Sequence, residues 1–182
     1  MAGSGRRTPM LIMENVGFLA SSRNWILHPN RENNTNENNP FGLEQEISWN
    51  IGGAFLQEFE LFYREGSFHV DFYHTFFQNQ LIVDLDQTAR EVQFYNLGGI
   101  SASNSLQLEL NYELLKRFDI RLAYRYLDVY KTYSLQLREK PLLSKHRGFV
   151  NLAYETKENE HKQWKIDLTT QWVGSQRIPY TR

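Results

Sequence analysis

The stretch SLQLELNYELLKRFDIRLAYRY, from Ser105 to Tyr126, decides the fold class. Leucine or tyrosine occupies every second residue from Leu106 to Leu114, and glutamine, glutamate or asparagine lies between them. The same alternation runs from Phe118 to Tyr126. A period of two indicates a β-strand with one apolar face, whereas a helical period would scatter these leucines around a cylinder. The pair Lys116-Arg117 separates the two halves, so the stretch predicts a β-hairpin.

The alternation extends to both sides of this hairpin. Upstream it begins near Glu44 and, after a predicted turn at Arg64-Glu65-Gly66, continues through Phe68, Val70 and Phe72 and the apolar run Leu81–Leu85. Downstream it returns in Val150, Leu152 and Tyr154 and again from Trp164 to Trp172. The chain is therefore predicted to be all-β, an antiparallel up-and-down meander of about six strands.

The predicted connections alternate in length. Short turns near Arg64 and Lys116 and a short to medium one at 157–162 alternate with long passages at 75–104 and 131–145. Outer-membrane barrels have short periplasmic turns and longer extracellular loops, whereas a soluble sandwich has no reason to sort its loops by length. The alternation favours a transmembrane β-barrel.

Composition excludes several other classes. The chain has 182 residues, no cysteine, 14% aromatic residues and a net charge of -1. A disulfide scaffold is therefore excluded, and so many aromatic residues argue against disorder. No apolar stretch is long enough for a membrane helix, and the first ten residues lack the apolar core of a signal peptide. Balanced charge argues against nucleic acid as a partner.

The two faces of the predicted strands differ in charge. From Leu106 onward the apolar positions carry no charged residue within a strand, and all such charges lie on the opposite parity. Trp164 and Trp172 share the apolar face eight residues apart. That separation is roughly 26 Å along a strand, close to the height of a membrane barrel's apolar band. We expect these two tryptophans at the two membrane interfaces.

No catalytic or metal-binding constellation emerges from the sequence. The five histidines are not paired at ligand spacing, and His69 and His74 are expected on opposite faces of a strand. The segment Asp84-Leu-Asp86-Gln-Thr88 begins like a calcium loop but has Ala89 and Tyr95 where such a loop needs glycine and glutamate. A loop calcium site held by these two aspartates is a minor alternative. We therefore predict no enzymatic activity, no resident metal and no cofactor.

The hairpin region and two further segments carry a family resemblance. The stretches Asn96–Leu114 and Phe118–Tyr126 resemble the barrel of bacterial TonB-dependent outer-membrane receptors, in particular those of Bacteroidetes type. The segments Lys140–Tyr154 and Glu14–Arg23 add to it. The resemblance covers most of the chain. It implies a 22-stranded transmembrane barrel with an N-terminal plug, located in the outer membrane of a Gram-negative bacterium and energised from the inner membrane.

The resemblance defines what this chain is expected to be. Residues 1–43 are predicted to be irregular and mainly an extracellular loop, and residues 44–182 to be an incomplete barrel segment. The expected function is import of a scarce nutrient, with a ferric siderophore as the expected cargo. The expected partners are outer-membrane lipid, the plug domain, the remaining barrel strands and the TonB complex.

Ligand contacts are expected in the long connections. The candidates there are aromatic and basic residues able to meet an anionic iron chelate, namely Tyr130, Tyr133, Arg138 and Lys140. Two other function classes stay open. One is a soluble β-barrel or sandwich that binds a small apolar ligand. The other is an outer-membrane barrel enzyme, for which only Asp71 with His69 and His74 lie near one another in sequence.

Overall fold

A computed structural model describes residues 1–28, 41–134, 136–158 and 162–179. The strands are β1 (Ala2–Arg7), β2 (Asn24–His28), β3 (Glu46–Leu61), β4 (Arg64–Asn79), β5 (Leu81–Asp84), β6 (Glu91–Asn96), β7 (Ser101–Leu115), β8 (Phe118–Tyr133), β9 (Gln136–Glu139), β10 (His146–Glu155) and β11 (Lys165–Val173). Two one-turn helices, α1 (Leu11–Glu14) and α2 (Val16–Leu19), follow β1. The predicted all-β class is confirmed.

Most strands belong to one antiparallel sheet, which we call the long sheet. Its order is β1-β3-β4-β7-β8-β10-β11, and β9 pairs with β8. The predicted hairpin is β7 and β8, with Leu110 opposite Leu122 and Glu109 opposite Ala123. Each long strand from β3 to β11 pairs with the next long strand along the chain, as in the predicted meander. The long sheet is a single layer.

The first turn differs from the predicted one. Strands β3 and β4 are joined at Phe62 and Tyr63, both at positive φ (51° and 59°), and Arg64 to Gly66 already belong to β4. Positive φ at both central residues is the geometry of the tight hairpin turn that matches strand twist. Gly66 is needed for another reason, because an added Cβ would lie 2.5 Å from the Phe59 ring.

The long connections leave the long sheet at the end opposite the tight turns. Strands β5 and β6 arise between β4 and β7, and β9 arises between β8 and β10. β5 and β6 form a second sheet with β2, in the order β2-β6-β5, which we call the small sheet. β2 runs parallel to β6, with Leu27 opposite Phe94.

Residues 1–28 contain regular structure that the sequence analysis did not predict. They hold β1, both helices and β2, although this region was expected to be irregular. The asparagine-rich passage from Arg31 to Pro40 lies outside the described residues. The predicted boundary after residue 43 and the extracellular position of this passage stay predictions.

The buried core lies around the small sheet and not under the long one. A cluster of buried apolar side chains gathers there, made of Leu11, Leu43, Leu81, Leu85, Val92 and Phe94. The apolar side chains of the long sheet stay largely uncovered. Among the described residues no helix has the length and apolar character to cross a membrane.

Candidate functional site

Apolar side chains lie on one side of the long sheet, and we call this side the apolar face. Cross-strand register places apolar side chains from six strands on it, so that the row Phe55, Val70, Leu108, Tyr124 crosses the sheet. Many large side chains of this face are exposed, among them Trp49, Ile51, Phe55, Phe72, Phe76, Leu122, Tyr124, Val150, Tyr154, Ile166, Leu168 and Trp172. A contiguous apolar surface this large marks an interaction or membrane surface.

Rings and polar groups limit the apolar face at its two ends. Toward the tight turns, Phe59 stacks on Tyr112 at 6.1 Å and Phe118 lies 6.5 Å from Tyr154. Toward the long connections, a mostly polar row of Ile51, His74, Asn104 and Asp128 interrupts this face, and Trp49 and Phe76 lie in the row beyond it. His74 Nδ1 lies 2.7 Å from Asn104 Oδ1. The band between these limits is about eight residues high, or roughly 26 Å along a strand.

The opposite side of the long sheet, which we call the polar face, carries paired charges. Arg121 Nη2 lies 3.0 Å from Glu109 Oε1, and His69 Nε2 lies 3.4 Å from Asp71 Oδ1. Asn151 donates to Asp167 Oδ1 at 2.7 Å. Charges of both signs therefore lie on this face, as the parity of the sequence indicated, and Arg121 and Glu109 neutralise one another.

The histidine and aspartate considered for an enzyme do make contact. His69 and Asp71 share the polar face of β4, while His74 is directed to the other face. Ser67 Oγ, two residues before His69, accepts a hydrogen bond from Asn111 Nδ2 at 3.3 Å. No hydrogen bond between a serine hydroxyl and His69 occurs among the described residues. In the described part of the chain His69 therefore activates no serine nucleophile, and the absence of enzymatic activity stays a prediction.

A polar cluster forms where the long connections meet, and Asp84 is its centre. This carboxylate is 1% exposed. It accepts hydrogen bonds from the Tyr95 hydroxyl at 2.8 Å, the Ser134 hydroxyl at 3.1 Å and the Asp86 backbone N–H at 2.8 Å. Gln87 Nε2 adds a contact at 3.4 Å. The network joins β5 and β6 to the end of β8.

Asp86 anchors the second half of the cluster. Its carboxylate lies 2.9 Å from Arg177 Nη1 and 3.6 Å from Arg138 Nη1. The Arg177 guanidinium also lies 5.8 Å from the centre of the Tyr133 ring. Two arginines and a ring therefore surround one buried carboxylate, and they hold the chain near residue 177 against the loops.

The predicted ligand residues separate into two groups. Arg138 and Tyr133 belong to the cluster, and Tyr133 is only 4% exposed, so its ring is packed within the protein. Tyr130 faces Glu139 across β8 and β9, and Lys140 lies at the exposed end of β9. The structure does not bring all four together. Their roles as ligand contacts stay predictions.

A cavity of about 360 Å³ opens beside this cluster. It is lined by Asp84, Asp86, Gln87, Tyr133, Ser134, Gln136 and Arg138. Arginine contacts on Asp86 make the pair of aspartates a poor calcium site, because calcium needs oxygen ligands free to bind it. In the parts of the chain that the structure describes, no three acidic or histidine side chains are placed to hold a metal ion.

Two members of the cluster were missed by sequence reasoning. Ser134 and Arg177 carried no signal in the sequence, because each is far along the chain from its partner. Ser134 is 50 residues from Asp84, and Arg177 is 91 residues from Asp86. Asp84 was singled out, but for calcium and not for the hydrogen-bond network it centres. Only the fold brings these residues together.

The cluster predicts a loss of stability at alkaline pH. Burial, reinforced by Asp84, raises the pKa of Tyr95, and burial raises the pKa of Tyr133 to about 12. Both tyrosines lie beyond the apolar band. The folded chain then holds protons that the unfolded chain releases near its ordinary pKa of 10.0. This contribution to stability is complete below about pH 10 and is lost as pH rises above it.

We expect the free energy of unfolding of Tyr95→Phe to fall less steeply with rising pH than that of the unaltered chain. Urea unfolding followed at pH 9, 10 and 11 measures it, and the exposed Tyr63, replaced by phenylalanine, is the control. If the free energy of unfolding fell with pH as steeply in Tyr95→Phe as in the unaltered chain, the raised pKa of Tyr95 would not be the cause.

Comparison with protein-family models, with curated proteins and with solved structures gave no match for this chain.

Proposed function

We propose that this chain is a wall segment of an outer-membrane β-barrel transporter of the TonB-dependent type, which imports a scarce nutrient such as a ferric siderophore. The observation that carries the proposal is the exposed apolar face of a single-layer antiparallel sheet. In a membrane barrel such a face meets lipid and the other face meets a polar lumen. The polar face of this sheet, with its paired charges, suits a lumen.

Charge placement supports lipid as the occupant of the apolar face. Within the band between its aromatic and polar limits, the register places no Asp, Glu, Lys or Arg on that face. An arginine or lysine at mid-membrane costs about 2–4 kcal/mol, whereas the rim of a protein interface accepts charge readily. Aromatic side chains near the limits match the girdles of membrane barrels.

The arrangement of the connections supports the same proposal. Two-residue turns join β3 to β4 and β7 to β8 at one end, and the long connections gather at the other. This matches periplasmic turns and extracellular loops. Ligand selectivity then belongs to the long connections. Membership of a 22-stranded barrel, the plug domain and the TonB complex follow from the resemblance and are part of the proposal.

A second candidate function rests on one feature of the apolar face. Phe68, Leu110, Leu122, Tyr124 and Val150 line an open apolar depression of about 340 Å³. A soluble β-sandwich or barrel would cover this face with a second layer and bind a small apolar ligand there. The test below separates the two functions.

Tryptophan quenching in lipid vesicles tests the proposal. Trp172 and Trp164 lie on or beside the apolar face, whereas Trp25 packs against Phe94 in the small sheet. We expect the chain, refolded into vesicles with brominated acyl chains, to show quenching in variants that keep only Trp172 or only Trp164. The variant that keeps only Trp25 should be unaffected. A stable monomer in buffer without detergent, with no quenching at Trp172, would favour the soluble alternative.

A further inference from the structure

Two arginines face each other on the polar face without an acidic partner. Arg125 of β8 lies directly opposite Arg147 of β10 in the antiparallel register. Side chains directly opposite on adjacent strands have Cβ atoms about 4.5–5.5 Å apart, and like charges placed so are destabilising. Neither guanidinium makes an ion pair or hydrogen bond with another described residue. The pairing is unfavourable unless something else binds there.

Burial raises the free-energy cost of the missing hydrogen-bond partner at Arg147. Arg147 Nε is buried and has no hydrogen-bond acceptor among the residues that the structure describes. A buried donor left unsatisfied costs about 1–3 kcal/mol, and more when it is charged. Arginine is fully protonated, so the group cannot lose its charge to escape this cost.

The neighbouring carboxylates are directed elsewhere. Glu109, one row away on β7, is bound by Arg121 and by Asn111 Nδ2 at 3.0 Å. Asp71, in the same row but two strands away, lies beside His69. Neither lines the space between the two arginines.

Both arginines line an open cavity of about 180 Å³. Its polar lining comes from Arg125, Arg147, Gln107 and Gln171, and it contains no acidic residue. All four belong to the polar face, so the cavity opens on the side that the proposed barrel would turn to its lumen. Its size suits a single ionised group and not a whole large ligand.

We infer that Arg125 and Arg147 form a binding site for the oxyanion of a small solute, a carboxylate or a phosphate group. The planar forks of two arginines suit bidentate recognition of such groups, and the glutamine amides add neutral donors. The bound anion would neutralise the like-charge pair and accept hydrogen bonds from the two guanidinium groups. This inference rests on the proposed function, because it assigns an anionic cargo, or an anionic part of it, to the lumen.

Titration calorimetry with citrate and with inorganic phosphate tests the site at low salt, on the full chain folded in detergent micelles. We expect saturable binding of one or both anions, weakened by added salt. Arg125→Gln and Arg147→Gln should each weaken it by about tenfold or more, the loss expected for one charge-assisted hydrogen bond. Citrate and phosphate titrated side by side show which oxyanion the site prefers.

Arg121→Gln is the matched control. Arg121 lies four residues before Arg125 on the same face, but its charge is already paired with Glu109. Binding should stay unchanged in this variant. No saturable binding by the folded chain, or equal weakening in all three variants, would overturn the inference.

Thermal melting gives a second readout that does not depend on measuring affinity. Without added anion, Arg147→Gln should melt higher than the unaltered chain, because the like-charge pair is gone. Citrate or phosphate should raise the melting temperature of the unaltered chain and leave that of the variant unchanged. The proposed site would be contradicted if Arg147→Gln melted at a lower temperature than the unaltered chain and citrate or phosphate still raised its melting temperature. Since these measurements need no membrane, their failure is distinguishable from failure of the quenching test.

Discussion

Replacing Leu122 by arginine is expected to lower the free energy of unfolding in lipid vesicles by about 2–4 kcal/mol. Leu122 lies on the apolar face, 36% exposed, between Leu110 and Val150 in the register. In the proposed barrel its side chain would be in hydrocarbon near mid-membrane. An arginine there loses its hydration, and none of the described residues on the apolar face within the band is acidic and able to compensate for the loss.

Ala123→Arg is the matched control for this experiment. Ala123 is the next residue along β8, on the polar face, and lies directly opposite Glu109. The same arginine there faces a carboxylate and the proposed lumen, so stability should change by about 0.5 kcal/mol or less. Reversible urea unfolding in vesicles measures both variants. Equal losses at the two positions would contradict the assignment of which face meets lipid.

The long sheet was largely predictable from sequence because its pattern satisfies two requirements at once. From Leu106 to Leu114 in β7 and from Phe118 to Tyr126 in β8, every second side chain is apolar and every charge falls between, so a one-residue shift would reverse both faces. The register that pairs Leu110 with Leu122 follows from that pattern and the two-residue turn. The first turn was less predictable, because Phe62 and Tyr63 are bulky aromatic residues at positive φ where glycine or asparagine is usual.

The small sheet was not predictable because its pairing is distant. β2 pairs in parallel with β6, some seventy residues later, and the short apolar run from Trp25 to Leu27 in β2 shows no alternation. Of the polar cluster, Tyr133 and Arg138 were identified as loop candidates from residue type alone. Arg177 comes from the far end of the chain, and the opposition of Arg125 and Arg147 depends on a register that residue type does not reveal.

The small sheet should unfold separately when its core is damaged. Phe94→Ala is expected to destabilise it by about 3–5 kcal/mol, the usual cost of removing a fully buried phenylalanine. Phe94 is 0% exposed, lies opposite Val83 and Leu27, and its ring centre is 5.0 Å from that of Trp25. Its loss leaves a cavity that short strands cannot close. Trp25 emission should therefore shift to longer wavelength.

Hydrogen exchange shows whether the damage stays local. The amides of β5 and β6 bond within the small sheet, so they should lose protection in Phe94→Ala while those of β7 and β8 keep theirs. Met13→Ala is the control, because Met13 is 74% exposed on α1 and its loss leaves no cavity. Simultaneous loss of protection in both sheets would mean that they unfold as one unit. Local loss instead would show that the small sheet unfolds as a separate unit while the long sheet stays folded.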